Sequence, residues 1–162
     1  MKKMLLLTML MFSLGVSAQG SLSKVKVYTG RYTNTSDQVL TLQGGKLYRG
    51  RYTNTSDQIY TIDGGKIYRG RYTNTSDQIL LVQDGKVYTG RYANTSQQVL
   101  LVKDNKVYQG RYANTSDQIL LLQDGKVYRG RYANQSAVWF NIDGPVTVAE
   151  FVAILYALNY MY

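Results

Sequence analysis

From Val25 to Ile142 the chain alternates short apolar stretches with polar ones at a fixed interval. Leu40 and Leu42, Tyr60 and Ile62, Leu80 and Val82, Leu100 and Val102, and Leu120 and Leu122 each lie two apart, and the pairs recur every 20 residues. Apolar positions at a period of two mark strands with one buried face. Each stretch ends in a turn pair and a lysine: Gly44-Gly45-Lys46, Gly64-Gly65-Lys66, Asp84-Gly85-Lys86, Asp104-Asn105-Lys106 and Asp124-Gly125-Lys126. Such pairs adopt positive φ at low cost and predict two-residue type I′ hairpins. In the hairpin of 78–83 with 86–91, Val82 faces Val87 and Leu80 faces Thr89 on the expected core side. Leu81 with Tyr88, and Ile79 with Gly90, form the other side. That side is mixed, because Thr41 and Thr61 give way to Leu81, Leu101 and Leu121.

The polar half of the period is as regular. Tyr28, Tyr48, Tyr68, Tyr88, Tyr108 and Tyr128 each open a segment Tyr-x-Gly-Arg-Tyr, followed by Thr or Ala and a variant of Asn-Thr-Ser-Asp-Gln. Asn, Ser and Asp side chains bond nearby backbone and fix tight turns. Asn34-Thr35-Ser36 and its copies also fit a glycosylation sequon, but a turn explains them. The glycine of each segment, such as Gly70, is expected to let the backbone bend or pack closely.

Six such segments accompany only five complete hairpins, with orphan strands Lys24–Tyr28 and Val138–Ile142 at the two ends. The expected architecture is therefore all-β: a closed radial array of 20-residue hairpins in which the first strand pairs with the last. The alternative is an open β-solenoid. Five or six units are both compatible with the count. The repeat domain spans residues 19–144, and 145–162 follow as a C-terminal helix from about Val148 to Tyr160. Thr147 and Glu150 form a capping box there, with Val146 and Phe151 placed for a hydrophobic staple. The helix is apolar nearly all round and so demands burial. It plugs the ring, covers a solenoid end, or docks a protein partner; packing on the repeats is the favoured reading.

Residues 1–18 read as a secretory leader, with Lys2 and Lys3 ahead of an apolar stretch from Met4 to Val16 and Val16-Ser17-Ala18 before the cut. That stretch is too short to span the ~30 Å hydrocarbon core. The expectation is a secreted, periplasmic or cell-surface chain cleaved after Ala18, without a transmembrane span.

Composition removes whole classes of chemistry. The chain has no cysteine and no histidine. Disulfides, thiolate or histidine metal sites and imidazole-based catalysis are excluded. No metal, cofactor or catalytic residue is expected, and the protein is read as non-enzymatic. The net charge of +9 becomes +7 without Lys2 and Lys3, which favours anionic partners.

Units such as Lys66-Ile67-Tyr68-Arg69-Gly70, a turn with Ser76-Asp77, an apolar strand and Asp-Gly resemble the 5-fold β-flower proteins, small exported proteins of Bacteroides-like bacteria. The closing segment from Gly144 to Ala153 is similar to that family's terminal helix. The resemblance covers most of the mature chain and implies fold and export, but no ligand.

The candidate binding residues are Arg51, Tyr52, Arg71, Tyr72, Arg91, Tyr92, Arg111 and Tyr112, from the series Arg31 to Arg131. Guanidinium groups beside aromatic faces suit anionic glycans or other surface polymers, and repeated weak sites give avidity. The competing expectation is that these side chains cover strand ends and pair with Asp37, Asp57, Asp77 and Asp117. Two further readings rank lower. Basic charge among tyrosines suits single-stranded nucleic acid, which export makes an unexpected partner. A polysaccharide-active enzyme needs two carboxylates, from the Asp37 and Asp84 classes.

Overall fold

The computed structural model describes residues 23–159. The leader expected over 1–18, and Tyr160 at the end of the expected helix, lie outside the described residues. Twelve strands follow in order: β1 (Val25–Thr29), β2 (Gln38–Gln43), β3 (Lys46–Arg49), β4 (Gln58–Asp63), β5 (Lys66–Arg69), β6 (Gln78–Gln83), β7 (Lys86–Thr89), β8 (Gln98–Lys103), β9 (Lys106–Gln109), β10 (Gln118–Gln123), β11 (Lys126–Arg129) and β12 (Val138–Asp143). Each pairs with its neighbours in sequence and β1 also pairs with β12, closing an antiparallel barrel. The closed array expected from the repeats is the one formed, and the open solenoid is not.

Five hairpins close on the predicted turns. Asp84 and Gly85 have φ of 51° and 74°, and Asp104 and Asn105 have 52° and 60°. These are the left-handed values a type I′ turn requires. The sixth hairpin joins the two ends of the repeat region. Lys26 pairs with Asp143, Val27 with Ile142, Tyr28 with Asn141 and Thr29 with Phe140. The third unit uses the same register, Lys86 with Gln83, Val87 with Val82, Tyr88 with Leu81 and Thr89 with Leu80. The two orphan strands are thus one split unit, and the ring has six units rather than five.

Between units the register shifts once at every boundary. Leu47 pairs with Tyr60 and Tyr48 with Gln58, which leaves Ile59 as an extra residue. Val39, Ile79, Val99, Ile119 and Trp139 hold the same position, and all six pack half-buried on the core. Bulges raise local twist and bend the strand, which helps the sheet to curve shut. Of the two roles expected for the glycine after each short strand, bending is the one it performs. A Cβ on Gly70 would meet nothing within 4 Å, so its φ of +80°, not close packing, requires glycine.

That left-handed bend turns a carbonyl out of the ladder, and each unit caps it. Thr41 Oγ1 donates to Gly50 O at 2.7 Å and Thr61 Oγ1 to Gly70 O at 2.9 Å. Where leucine replaces the threonine, Gln78 and Gln98 reach Gly90 O and Gly110 O directly, at 3.2 and 3.3 Å. Gln118 reaches Gly130 O at 3.5 Å. In the split unit Val138 replaces the glutamine, and Asn141 Nδ2 donates to Gly30 O at 2.6 Å.

The lumen holds the helix, α1 (Val148–Ala157), entered through Gly144–Thr147. Thr147 Oγ1 accepts from the Glu150 amide at 3.2 Å, while Glu150 Oε2 accepts from the Thr147 amide at 2.8 Å. The predicted capping box is present, and Val146 and Phe151 of the expected staple are both in the core. Seven consecutive residues, Ala149–Leu155, are buried. Two turns buried in succession leave no face of the helix free. Val25, Val27, Leu42, Leu47, Ile67, Val87, Leu120 and Phe140 from the strands share its core. The favoured expectation, that the helix packs on the repeats, is the arrangement formed, and the apolar surface of Ala149–Leu155 is taken up by the barrel's own interior. At the near end Gly144 lies against Val25, and at the far end Tyr156 meets Tyr60 edge-on with ring centroids 5.6 Å apart. Among the described residues no helix is long and apolar enough to cross a membrane.

Three stability outcomes follow. Phe151→Ala is expected to cost about 3–5 kcal/mol in denaturant unfolding, because it removes one of the largest fully buried side chains of the core. Thr41→Leu is expected to cost under about 1 kcal/mol, since Gln38 can take over the Gly50 carbonyl as Gln78 does for Gly90. Asn141→Leu has no such substitute and is expected to cost about 1–3 kcal/mol. Equal losses for the two would show that the carbonyl caps do not differ.

Candidate anion-binding rim

Strands that run alternately up and down place the two kinds of connection at opposite ends of the barrel. The two-residue turns form one rim. The longer connections, residues 30–37 and their copies, form the other.

Each longer connection is held by its own polar residues. After the glycine come an exposed Arg-Tyr pair and an extended Asn, then a single turn of 3-10 helix such as Thr35–Asp37. The Asp37 amide donates to Asn34 O at 2.9 Å. The Asn34 side-chain amide donates to Asp37 Oδ2 at 3.0 Å, and the pairs Asn54 with Asp57, Asn74 with Asp77 and Asn114 with Asp117 repeat it at 3.0, 3.1 and 2.9 Å. Sequence reasoning had offered these carboxylates to the arginines. The asparagines take them instead, because an amide three residues away reaches the carboxylate within the turn.

This leaves the Arg-Tyr pairs facing outward. Tyr32, Tyr52, Tyr72, Tyr92, Tyr112 and Tyr132 are 65–70% exposed, and the arginine before each is exposed too. The narrow range means that all six occupy the same environment. Arg71 lies over its own neighbour Tyr72, 5.9 Å from the ring centroid, within cation–π range. The other tyrosine of each segment has the opposite fate. Tyr28, Tyr48, Tyr68, Tyr88, Tyr108 and Tyr128 are 5–8% exposed. They lie on the face away from the helix, as Tyr48 does between Thr41 and Gln58 on the flanking strands.

The candidate residues Arg51, Tyr52, Arg71, Tyr72, Arg91, Tyr92, Arg111 and Tyr112 are therefore gathered on one rim. Arg31 with Tyr32 and Arg131 with Tyr132, the two ends of the same series, complete the circle. Arg49, Arg69 and Arg129 also end strands at this rim. Arg129 lies over Trp139, 4.9 Å from the ring centroid. All nine arginines of the chain stand at this end. Every lysine from Lys24 onward stands at the other, beside Asp63, Asp84, Asp104, Asp124 and Asp143.

The same geometry separates the two carboxylate classes considered for glycoside hydrolysis. The Asp37 class sits at the arginine rim and the Asp84 class at the turn rim. Strands of six residues put roughly 20 Å between them, against the ~6.5–9.5 Å an inverting pair needs. Among the described residues no group of three acidic side chains lies together as a metal site would require.

The model of a family described as "6-fold beta flower protein" matches residues 27–155. No curated protein and no solved structure matches the chain.

Tyrosine nitration checks the arrangement of the rim. Brief treatment of the folded protein with tetranitromethane, followed by peptide mass spectrometry, is expected to modify Tyr32, Tyr52, Tyr72, Tyr92, Tyr112 and Tyr132 and to spare Tyr28, Tyr48, Tyr68, Tyr88, Tyr108 and Tyr128. Modification of both series to similar extents would contradict the two environments.

Proposed function

Because the chain belongs to the 6-fold beta flower family, whose description names a fold and no ligand, we propose from the rim itself that this protein is a non-catalytic binding module for acidic glycans and related anionic polymers. The observation that carries the reading is the gathering of all nine arginines with six exposed tyrosines at one end of a closed barrel. Arginine presents a planar fork of donors that matches carboxylate, sulfate and phosphate groups two bonds at a time. Exposed tyrosine offers a flat face to the carbon side of a sugar ring and a hydroxyl at its edge. The asparagine and serine side chains of each connection stand exposed beside the pair and add polar contacts.

The site residues are Arg51, Tyr52, Arg71, Tyr72, Arg91, Tyr92, Arg111 and Tyr112, joined by Arg31, Tyr32, Arg131 and Tyr132. A leader-like segment at 1–18 fits work outside the cytoplasm, where acidic surface polysaccharide is abundant. No residue of the reading cleaves or forms a bond.

The test is a glycan array probed with residues 19–162 and with a variant carrying Arg→Ala at positions 51, 71, 91 and 111. The intact chain is expected to bind acidic glycans and to release them as salt rises, since exposed charges are screened within ~10 Å at 0.1 M salt. The variant should lose this binding while keeping its melting temperature within a few degrees, because the four side chains are exposed. Equal binding by both proteins, or turnover of any glycan, would overturn the reading. Salt-sensitive retention of single-stranded DNA but of no glycan would replace it with the nucleic-acid alternative.

A further inference from the structure

We infer that the arginine rim is built to meet a layer of acidic glycan chains end-on, rather than to hold one chain along its length. The inference rests on the binding reading above and names the form in which the ligand is presented.

The argument is geometric. Twelve strands at about 4.8 Å spacing, tilted by up to ~45°, close on a radius of roughly 10–13 Å. Six equivalent sites on that circle lie one radius apart, and each points 60° away from the last. A stiff polysaccharide chain follows one chord and meets two neighbouring Arg-Tyr pairs at most. The other four are then idle. The six tyrosines nevertheless share one environment, at 65–70% exposure. Identical register in every unit also sets the pairs at one height, as the copies of the unit pairing show. A flat, six-fold ring of equal sites is complementary to a plane of separate chains. Weak contacts engaged together multiply in effect, by about 10²–10⁴ where the geometry allows them to act at once.

The chemistry of the protruding residues separates a glycan layer from a lipid surface. The exposed connections carry Arg, Tyr, Thr or Ala, Asn, Thr or Gln, and Ser, followed by a half-buried aspartate in four of the six. They hold no exposed Leu, Ile, Val, Phe or Trp to enter an acyl region. Tyr156, Ala157 and Leu158 are half-buried where the helix ends inside the ring. The exposed asparagine and serine side chains beside the arginines suit hydrated sugar chains.

The experiment uses biotinylated hexagalacturonate captured on a biosensor at graded density, with free hexagalacturonate and long polygalacturonate as soluble competitors. The full chain from residue 19 is expected to bind the sparse surface and the free hexasaccharide weakly. Apparent affinity should rise at least a hundredfold as the layer fills. Arg→Ala at any one of positions 31, 51, 71, 91, 111 or 131 should weaken binding to the dense layer by a similar factor, because the units are equivalent. Circular dichroism serves as the control for folding of each variant. If soluble polygalacturonate binds as tightly as the dense layer, one chain satisfies the site; the layer inference falls and the binding reading stands. If loss is confined to two adjacent arginines, the ring is not used as a whole and the inference falls as well. If neither surface nor soluble glycan binds, the binding reading itself falls. Binding to phosphatidylglycerol vesicles but not to the glycan layer would overturn both.

Discussion

The structure depends on how a wide ring is filled. Eight strands close on a lumen that their own side chains can occupy, whereas twelve leave a larger one. An α-helix with its side chains is about 10–12 Å across, close to the void left inside a ring of roughly 10–13 Å radius once inward side chains take their share. The helix supplies the missing layer, which explains its composition. A helix with one apolar stripe would place polar groups against Val27, Leu47 or Phe140. This one is apolar on every face from Phe151 to Leu155. Its one acid, Glu150, is 1% exposed, and its carboxylate is spent on the Thr147 amide in the capping box. The helix and the barrel are therefore one folding unit, since neither has a complete core alone.

The second constraint is closure. A ring of repeats made from one open chain must join its ends without covalent help, and the joint here is an ordinary hairpin with its turn missing. The register of β1 on β12 copies that of every intact unit, so the ladder has no seam in its hydrogen bonds. The side chains do mark it. Asn141 caps the Gly30 carbonyl where other units use threonine or glutamine, and Trp139 stands at the bulge position that holds Val or Ile elsewhere. A larger bulge residue and the shortest of the carbonyl caps add contacts where no turn ties the strands together. After Asp143 the chain no longer forms a turn, and Gly144 sends it inward to begin the helix.

Much of this was legible in the sequence because the repeat never slips. The period, the turn type, the cross-strand partners of Val82 and Leu80, the closed ring and the capping box all follow from local residue chemistry. The number of units did not, because the sixth is divided between Val25–Thr29 and Val138–Asp143 and looks like two leftovers until the ends meet. The bulges were hidden as well. An extra residue at Ile79 leaves only an unbroken apolar run, Ile79-Leu80-Leu81-Val82, which also reads as a strand buried on both faces. Gly70 stays open between two roles for a similar reason: sequence shows a glycine but not whether φ or space demands it. The helix was legible as buried, but the choice between lumen and partner needed the size of the ring. For the site, the Arg-Tyr pairs were found, while their expected partners were not. The competition between Arg31 and Asn34 for Asp37 is decided by loop geometry that residue order alone does not display.

Duplication bears on how much the arginine rim means. A repeat copies every residue, so six arginines in the series from Arg31 to Arg131 are weak evidence of selection by themselves. The positions that vary between units are more telling. At the connection rim the residue before the glycine is Thr29, Arg49, Arg69, Thr89, Gln109 or Arg129. Where it is basic, it is always arginine. At the turn rim the last strand residue is Gln43, Asp63, Gln83, Lys103, Gln123 or Asp143, and the basic one is lysine. Charge alone makes no such distinction, because both side chains carry one positive charge at neutral pH. The difference lies in the fork of donors and the flat face that only guanidinium offers. A rim that carries arginine at its basic variable positions, with an exposed tyrosine beside each repeated copy, offers shape as well as charge, and this is what supports the proposed binding role over one of solubility alone.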